Sequence, residues 1–412
     1  MIDNIAKVDC TGCGACLAIC PTRCIQMLPD SEGFFYPQIS FDKCITCHLC
    51  DKVCPVNLKN SFFQVSDPRY MATSILDDII LKKSSSGGVF SILAKNMLAK
   101  GGYVCGCVFN EQMQAEHICS NNWDEVQRMQ GAKYVQSNSF LCFREVRDLL
   151  KEGFPVLFSG TPCQVDGIRS FLSKEDTSKL LTIDVICHGV PSRLLLKSYK
   201  DFLEKKHKGK LTKLEFRNKE KNGWGAEHHT YIEINVNGKI KKIFPTFASY
   251  FTIFFWGIAM RPSCYSCIYT KPKRVSDITL GDFWGADKTF GDYLERGISI
   301  VGINTQQGSD FFDEMSSEMA FIRPQNLEMV AKGNIHLTKP VALNPVREFI
   351  YVELVSNSYS STAKHVIFSK ACRPKLIVSV YRRFTPTFIK RLVTAVRHHS
   401  KKKTNKEEPP CE

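Results

Sequence analysis

Two cysteine runs near the amino end constrain this chain more than any other feature. Cys10, Cys13, Cys16 and Cys20 precede Pro21 in a C-x2-C-x2-C-x3-C-P spacing, and Cys44, Cys47, Cys50 and Cys54 precede Pro55 in the same spacing. This spacing holds paired iron-sulfur clusters, the fourth cysteine of each run ligating the other cluster. Three thiolates two residues apart can wrap one cubane, while the fourth is carried past by the next half-turn and turned away by proline. The predicted ligands are Cys10, Cys13, Cys16 and Cys54 for one 4Fe-4S cluster, and Cys44, Cys47, Cys50 and Cys20 for another. Zinc knuckles are the alternative, but tetrahedral zinc gives no role to the paired prolines or to a crossed fourth cysteine. Cys24 breaks the spacing and reads as a packed side chain.

Nine of the nineteen cysteines fall within the first 54 residues, a clustering unlike a disulfide framework. There is no run of eighteen apolar residues, and MIDNIAKVDC lacks the order of regions a secretory signal needs. A cytoplasmic chain is expected, in which thiols stay reduced and dense cysteine spacing points to metal. The 43% of apolar residues is enough for a core and excludes a disordered chain. Of the net charge of +14, eight units come from Arg373 to Glu412, where eleven Lys and Arg face three Glu. The excess is a terminal tail rather than a stripe over a folded domain, so nucleic-acid binding is not expected.

Residues 1–60 form an internal repeat and read as an α+β two-cluster ferredoxin module. Residues 61–345 alternate apolar runs of strand length with amphipathic runs of helix length. Strands are predicted at 70–76, 103–109, 155–159, 181–187, 278–280 and 298–303, and helices at 88–98, 139–150, after Gln164 and at 192–206. Asn237-Gly238 between two strand runs predicts a hairpin over 230–244. The fold class is an α/β domain with a mixed, mainly parallel sheet. The apolar run 247–260 reads as a buried helix, and 346–412 as a basic helical extension ending in a disordered tail.

Beyond the repeat, Cys264 and Cys267 make a half-site that needs two more ligands. Cys163 and Cys187 lie at ends of predicted strands, where a doubly wound sheet gathers functional residues, although buried cysteines also pack as small hydrophobes. Ser84, Ser85, Ser86, Gly87 and Gly88 lead into a helix; this suits a phosphate, and equally an ordinary cap and turn. The turn Ser159-Gly160-Thr161-Pro162 has the same two readings. Asp277 and Asp282 flank the strand ITLG; each reads as a solvated strand-end carboxylate, with a capping or orienting role at the site for one of them as the second reading.

The segments SSSGGVF, GAKYVQS, LFSGTPCQVDGI, IDVICHGVPS, RPSCYSC and SDITLGDFWG follow the two runs in that order. Over roughly residues 1–290 the chain resembles the family of coenzyme F420 hydrogenase/dehydrogenase beta subunits. The resemblance implies an iron-sulfur flavoprotein with FAD in the α/β domain, exchanging hydride with a deazaflavin or another small organic partner. It implies that Ser85, Ser86, Gly87, Gly88, Lys133, Thr161 and Gln164 surround the FAD, and that Cys163, Cys187, Cys264 and Cys267 hold a third 4Fe-4S cluster. Lys133 would pair with the flavin ring or its pyrophosphate, and otherwise reads as a solvated lysine; His188 would relay a proton, and otherwise reads as a hydrogen-bonded loop residue. The form ICHGVPS is closer to bacterial members found with cell-surface polysaccharide genes than to deazaflavin-using subunits.

The expected partners are a small hydride donor or acceptor and an external ferredoxin or partner oxidoreductase. An electron-transfer subunit without substrate chemistry is the alternative. Tyr381 to Val396 mixes Phe384, Phe388, Ile389 and Leu392 with Arg382, Arg383, Lys390 and Arg391. It reads as a helix packed on the domain, with peripheral contact to an anionic membrane face as the second reading.

Overall fold

The cysteine-rich amino end folds around a hairpin of β1 (Ile25–Pro29) and β2 (Phe35–Ile39), and its internal repeat is visible in the backbone. In the first run Gly12 and Gly14 are left-handed, at φ 71° and 81°; in the second the matching residues, Thr46 and His48, are left-handed at φ 52° and 56°. These turns bring successive cysteines to one side before a short helix, Ala15–Ile19 or Leu49–Lys52, carries the chain to the fourth. A β-branched residue pays a steric penalty in this conformation. Thr46→Gly is therefore expected to raise the stability of the loaded protein by about 1 kcal/mol, read as an increased urea midpoint under anaerobic conditions.

The computed structural model describes residues 2–58, 67–221, 223–224, 230–245 and 249–375. In chain order the remaining strands are β3 (Arg69–Ile75), β4 (Tyr103–Phe109), β5 (Ala115–Ser120), β6 (Val156–Gly160), β7 (Leu180–Val185), β8 (Lys210–Glu215), β9 (Tyr231–Val236), β10 (Lys239–Ile243), β11 (Ile278–Asp282), β12 (Ser299–Ile303) and β13 (Met319–Gln325). Eight of them make one sheet in the order β13-β3-β12-β11-β7-β6-β4-β5. Five of the eight point the same way; parallel ladders join β11, β7, β6 and β4 at the centre, and antiparallel ladders flank them. Helices cover the central strands, which is why β7 and β12 are buried almost throughout rather than at alternate residues. β8, β9 and β10 form a separate antiparallel sheet, with Asn237 and Gly238 at positive φ in the turn as a type I′ hairpin requires.

The cysteine module is built into the α/β domain. Helix Pro162–Phe171 packs on helix Ala15–Ile19, and Cys13, Ala15, Ala18 and Val53 share an apolar cluster with Phe143, Phe158 and Ile168. Ser170 Oγ donates to Val53 O at 2.6 Å, and Arg144 donates to Ala18 O at 2.8 Å and Cys20 O at 2.9 Å. A Cβ on Gly167 would lie 2.8 Å from Cys13 Cβ and 3.1 Å from its Sγ. Gly167→Ala is expected to push the two parts apart and cost about 1–3 kcal/mol, measured by chemical unfolding, with a perturbed spectrum of the adjoining centre.

Several sequence expectations change. Helix 139–150 starts at Phe143, and the run 247–260 gives only the helix Ser249–Phe255, because Trp256 and Gly257 turn the chain. β5, β8 and β13 carry weak signals and are supplied by pairing with stronger neighbours. The first part of the expected extension is core: helices Arg347–Ser356 and Tyr359–Ile367 bury Ile350, Tyr351 and Val366 against Leu195, Tyr199 and Tyr250. Residues 376–412, including the basic segment 381–396, lie outside the described residues. Reduced thiols are expected throughout, but Cys105 and Cys119 face each other on β4 and β5 with Cα atoms 4.1 Å apart and are joined as a disulfide. Among the described residues no helix is long and apolar enough to cross a membrane.

Candidate metal centres

Three groups of cysteines come together. Cys20, Cys44, Cys47 and Cys50 line one pocket with Ile25, Ile39 and Leu49. Cys24 lines the same pocket, its Sγ 3.4 Å from that of Cys20, so it is placed against this group rather than elsewhere in the core. Cys47 is the one exposed member among the described free cysteines. Cys10, Cys13, Cys16 and Cys54 form the second group; burial first, and then the neighbouring thiols, push Cys13 and Cys16 upward. The fourth cysteine of each run thus stands with the other run's first three.

The third group is assembled by the large sheet. Cys163 and Cys187 follow the carboxyl ends of the adjacent parallel strands β6 and β7, where side chains from neighbouring strands converge. The loop after helix Ser249–Phe255 reaches them because Arg261 N donates to Val190 O at 2.9 Å and Pro191 bridges to Met260. That contact places Cys264 and Cys267 in the same pocket as Cys163, Cys187 and His188. Gly189, at φ 121°, permits the approach, since a Cβ there would meet Met260 Sδ at 3.1 Å and Cys264 Cβ at 3.4 Å. Burial, and then the neighbouring thiols, raise Cys187, whereas Cys163 is pushed up to about 11 and Cys264 to about 12. The raised thiols Cys13, Cys16, Cys163, Cys187 and Cys264 would therefore release protons on binding metal.

Two of the groups line a pocket, and four thiols brought together are a donor set that suits a 4Fe-4S cluster. Among the described residues no three His, Cys, Asp or Glu side chains converge on a point as for a single ion. The ligands of a cubane reach separate irons instead. Around the third group Gly189 N donates to Cys187 Sγ at 3.4 Å, and Thr161 Oγ1 lies 3.2 Å from Cys163 Sγ.

The residues expected near FAD are arranged differently. Ser85 Oγ accepts from Ala132 N at 2.9 Å, tying the 84–88 turn to the segment carrying Lys133; Ser86 Oγ donates to Ile298 O, and Gly87 N donates to Ser299 Oγ. Gly88, at φ 83°, starts the helix Val89–Ala99, which has no side-chain cap. Thr161 and Gln164 form a capping box, with Gln164 Nε2 bonded to Ser137 Oγ at 2.9 Å. Lys133 is half-buried and engaged rather than freely solvated: Nζ donates to Arg128 O and Gln130 O, both at 2.8 Å, and desolvation lowers its pKa to about 8. His188 has a buried Nε2 with no partner and a pKa lowered to about 3, by burial first and then by His336, whose ring centroid is 4.1 Å away.

Neither expected solvated carboxylate is free. Asp277 accepts from Thr182 N at 2.8 Å, Arg169 at 2.9 Å and Thr305 Oγ1 at 2.8 Å. Asp282 pairs with Arg217 at 3.0 Å and accepts from Trp224 Nε1 at 2.8 Å. Trp224 stacks on Trp284, with centroids 5.1 Å apart, and Arg217 lies over Trp284. Sequence reasoning missed this group because its members are 67 positions apart at most and share no motif.

Residues 155–325 match the model of the family described as coenzyme F420 hydrogenase/dehydrogenase, C terminus of the beta subunit, and residues 9–58 match that of the 4Fe-4S dicluster domain. The F subunit of the F(420)H(2) dehydrogenase of Methanosarcina mazei is 23% identical over 339 residues, which cover 78% of this chain and 87% of that protein. The I subunit of the NADH-quinone oxidoreductase of Pelobacter propionicus is 35% identical over 57 residues, 12% of this chain and 31% of that one. A chain of the F420-reducing [NiFe] hydrogenase complex from Methanosarcina barkeri superposes with a TM-score of 0.44 at 16% identity, covering 73% of this chain and 92% of its own. Fold and cysteine sites define an iron-sulfur oxidoreductase-like protein of the electron-transfer class. The carboxyl-terminal domain match, the dicluster match and the F-subunit relative together support a chain similar to the coenzyme F420 hydrogenase/dehydrogenase beta subunits.

Proposed function

We propose that the chain is a cytoplasmic iron-sulfur flavoprotein that passes electrons between an external ferredoxin or partner oxidoreductase and FAD. Hydride is exchanged with a small organic substrate or a deazaflavin-like cofactor, in cell-surface polysaccharide biosynthesis. The observation that carries this reading is the succession of three four-cysteine groups along the molecule, the first of which reaches the surface. The Cys20, Cys44, Cys47 and Cys50 group meets solvent at Cys47. The Cys10, Cys13, Cys16 and Cys54 group is next, and Cys13 abuts the helix that carries Cys163 of the third. Each group would hold one 4Fe-4S cluster and carry single electrons.

When bound, FAD accepts a hydride as two electrons and releases them singly, which joins one-electron clusters to a two-electron substrate. The uncapped start of helix Val89–Ala99 offers backbone N–H groups to a phosphate. The half-buried Lys133 supplies positive charge beside that turn, and the neutral His188 offers Nε2 for proton transfer. A second reading, an electron-transfer subunit serving a partner oxidoreductase, is favoured by one observation: the side-chain polar atoms of Ser85, Ser86, Thr161 and Gln164 are engaged within the chain.

Anaerobic purification followed by mixing with reduced deazaflavin or nicotinamide separates the two. The first reading predicts bound FAD and bleaching of cluster absorbance on mixing. Cluster-replete protein without flavin, and without a response to either donor, establishes the second. For the segment 381–396 we propose peripheral contact with an anionic membrane face, to be tested by co-sedimentation with anionic liposomes. Equal pelleting of the full chain and a truncation ending at Ala371 contradicts it.

A further inference from the structure

Buried arginines in this protein are paired with carboxylates: Arg274 with Asp184, Arg347 with Glu32 and Arg217 with Asp282. Arg261 differs. It is 1% exposed, and among the described residues its guanidinium has no carboxylate partner. Nε donates to Cys10 O at 2.8 Å and Nη1 to Gln136 Oε1 at 3.0 Å; Nη2 donates to Phe35 O at 3.0 Å and to Cys10 Sγ at 3.6 Å. The plane lies 4.2 Å over the Tyr36 ring. Gly12 makes room for it, since a Cβ there would be 2.9 Å from Nη1.

A buried cation surrounded only by neutral acceptors lacks a counter-charge. The groups available to supply one are sulfur ligands on two sides. Cys10 Sγ belongs to the middle cysteine group, and Arg261 also lines the pocket of Cys163, Cys187, Cys264 and Cys267.

We propose that Arg261 is the shared counter-cation of the middle and third iron-sulfur centres, and that it holds both at a higher reduction potential than the outer, Cys47-bearing centre. This rests on the cluster assignment proposed above. Reduction adds one negative charge to a cluster, and a fixed cation in a low-dielectric site stabilises that added charge. Hydrogen bonds to ligand sulfur act in the same direction. An electron shared among the three centres therefore resides inside, towards the sheet. Arg144, which bonds Cys20 O beside the outer centre, is partly exposed and screened by solvent. Arg261 acts here as a positioning charge.

The test is a redox titration of the anaerobically purified full chain, followed by electron paramagnetic resonance, with iron and sulfide counted in parallel. Arg261→Met is expected to keep its iron while two of three centres become harder to reduce. Their reduced-to-oxidised ratio at fixed potential falls about tenfold, which for one electron is about 59 mV. Arg261→Lys, which keeps the charge but cannot reach Cys10 and Gln136 together, shifts the same two centres by less. Unchanged midpoints in an iron-replete variant, or an equal shift of all three centres, overturn the proposal. If Arg261→Met does not hold iron, Arg261→Lys decides on the same criteria. Native protein with iron for only two clusters overturns the underlying assignment, which the iron count shows before any titration.

Discussion

Cys54→Ala is expected to cost the protein the cluster of the first cysteine run, although Cys54 stands in the second. Anaerobically prepared, the variant should hold about eight irons where the native chain holds about twelve. The lost signal should be that of the centre on Cys10, Cys13 and Cys16. Cys20→Ala should remove the other ferredoxin-type centre, the one lined by Cys44, Cys47 and Cys50. The contrast between the two variants reads the crossing directly, because an uncrossed arrangement reverses which centre disappears. The measurement is iron content with the resonance spectrum of each reduced variant.

The second large effect concerns the sheet that presents the third cysteine group. Asp184 on β7 and Arg274 form an ion pair with side chains 0% and 2% exposed, Arg274 Nη2 lying 3.1 Å from Asp184 Oδ2. Arg274 also donates to Tyr269 O at 2.7 Å and Val185 O at 3.1 Å, so it holds the segment after Cys267 against the end of the strand before Cys187. Removing one member of such a pair leaves an uncompensated buried charge and costs about 3–5 kcal/mol. Asp184→Ala is expected to unfold at markedly lower urea concentration and to lose the third centre before the other two. A change in the unfolding midpoint within that of an ordinary surface substitution contradicts this role.

Much of the molecule was legible because its signals are local. Cysteine spacing identifies the amino-terminal module, and the order of strand-length and helix-length runs gives the α/β domain and the hairpin at Asn237-Gly238. What escaped depends on long-range pairing. β13 is stabilised as a strand by β3, far away in sequence, and helices Arg347–Ser356 and Tyr359–Ile367 are amphipathic segments whose place in the core is set by Tyr199 and Tyr250. Asp277 and Asp282 look solvated in sequence because their partners, Arg169 and Arg217, come from other elements.

Arg261 shows the same limit at the site itself. As the first residue of the RPSC turn it reads as one more basic residue, and only the fold brings it onto Cys10, 251 positions away. The serine and glycine turn shows the opposite limit. Its composition suits a phosphate, yet two of its hydroxyls are turned inward to hold loops together, leaving the backbone of the following helix to meet any ligand.

The central claim is that three groups of four cysteines each hold an iron-sulfur cubane. Iron and acid-labile sulfide, counted per chain in protein purified and reconstituted without oxygen, test it most directly. About twelve of each are expected, with a brown chromophore that bleaches on reduction. One or two zinc ions per chain without labile sulfide would contradict it.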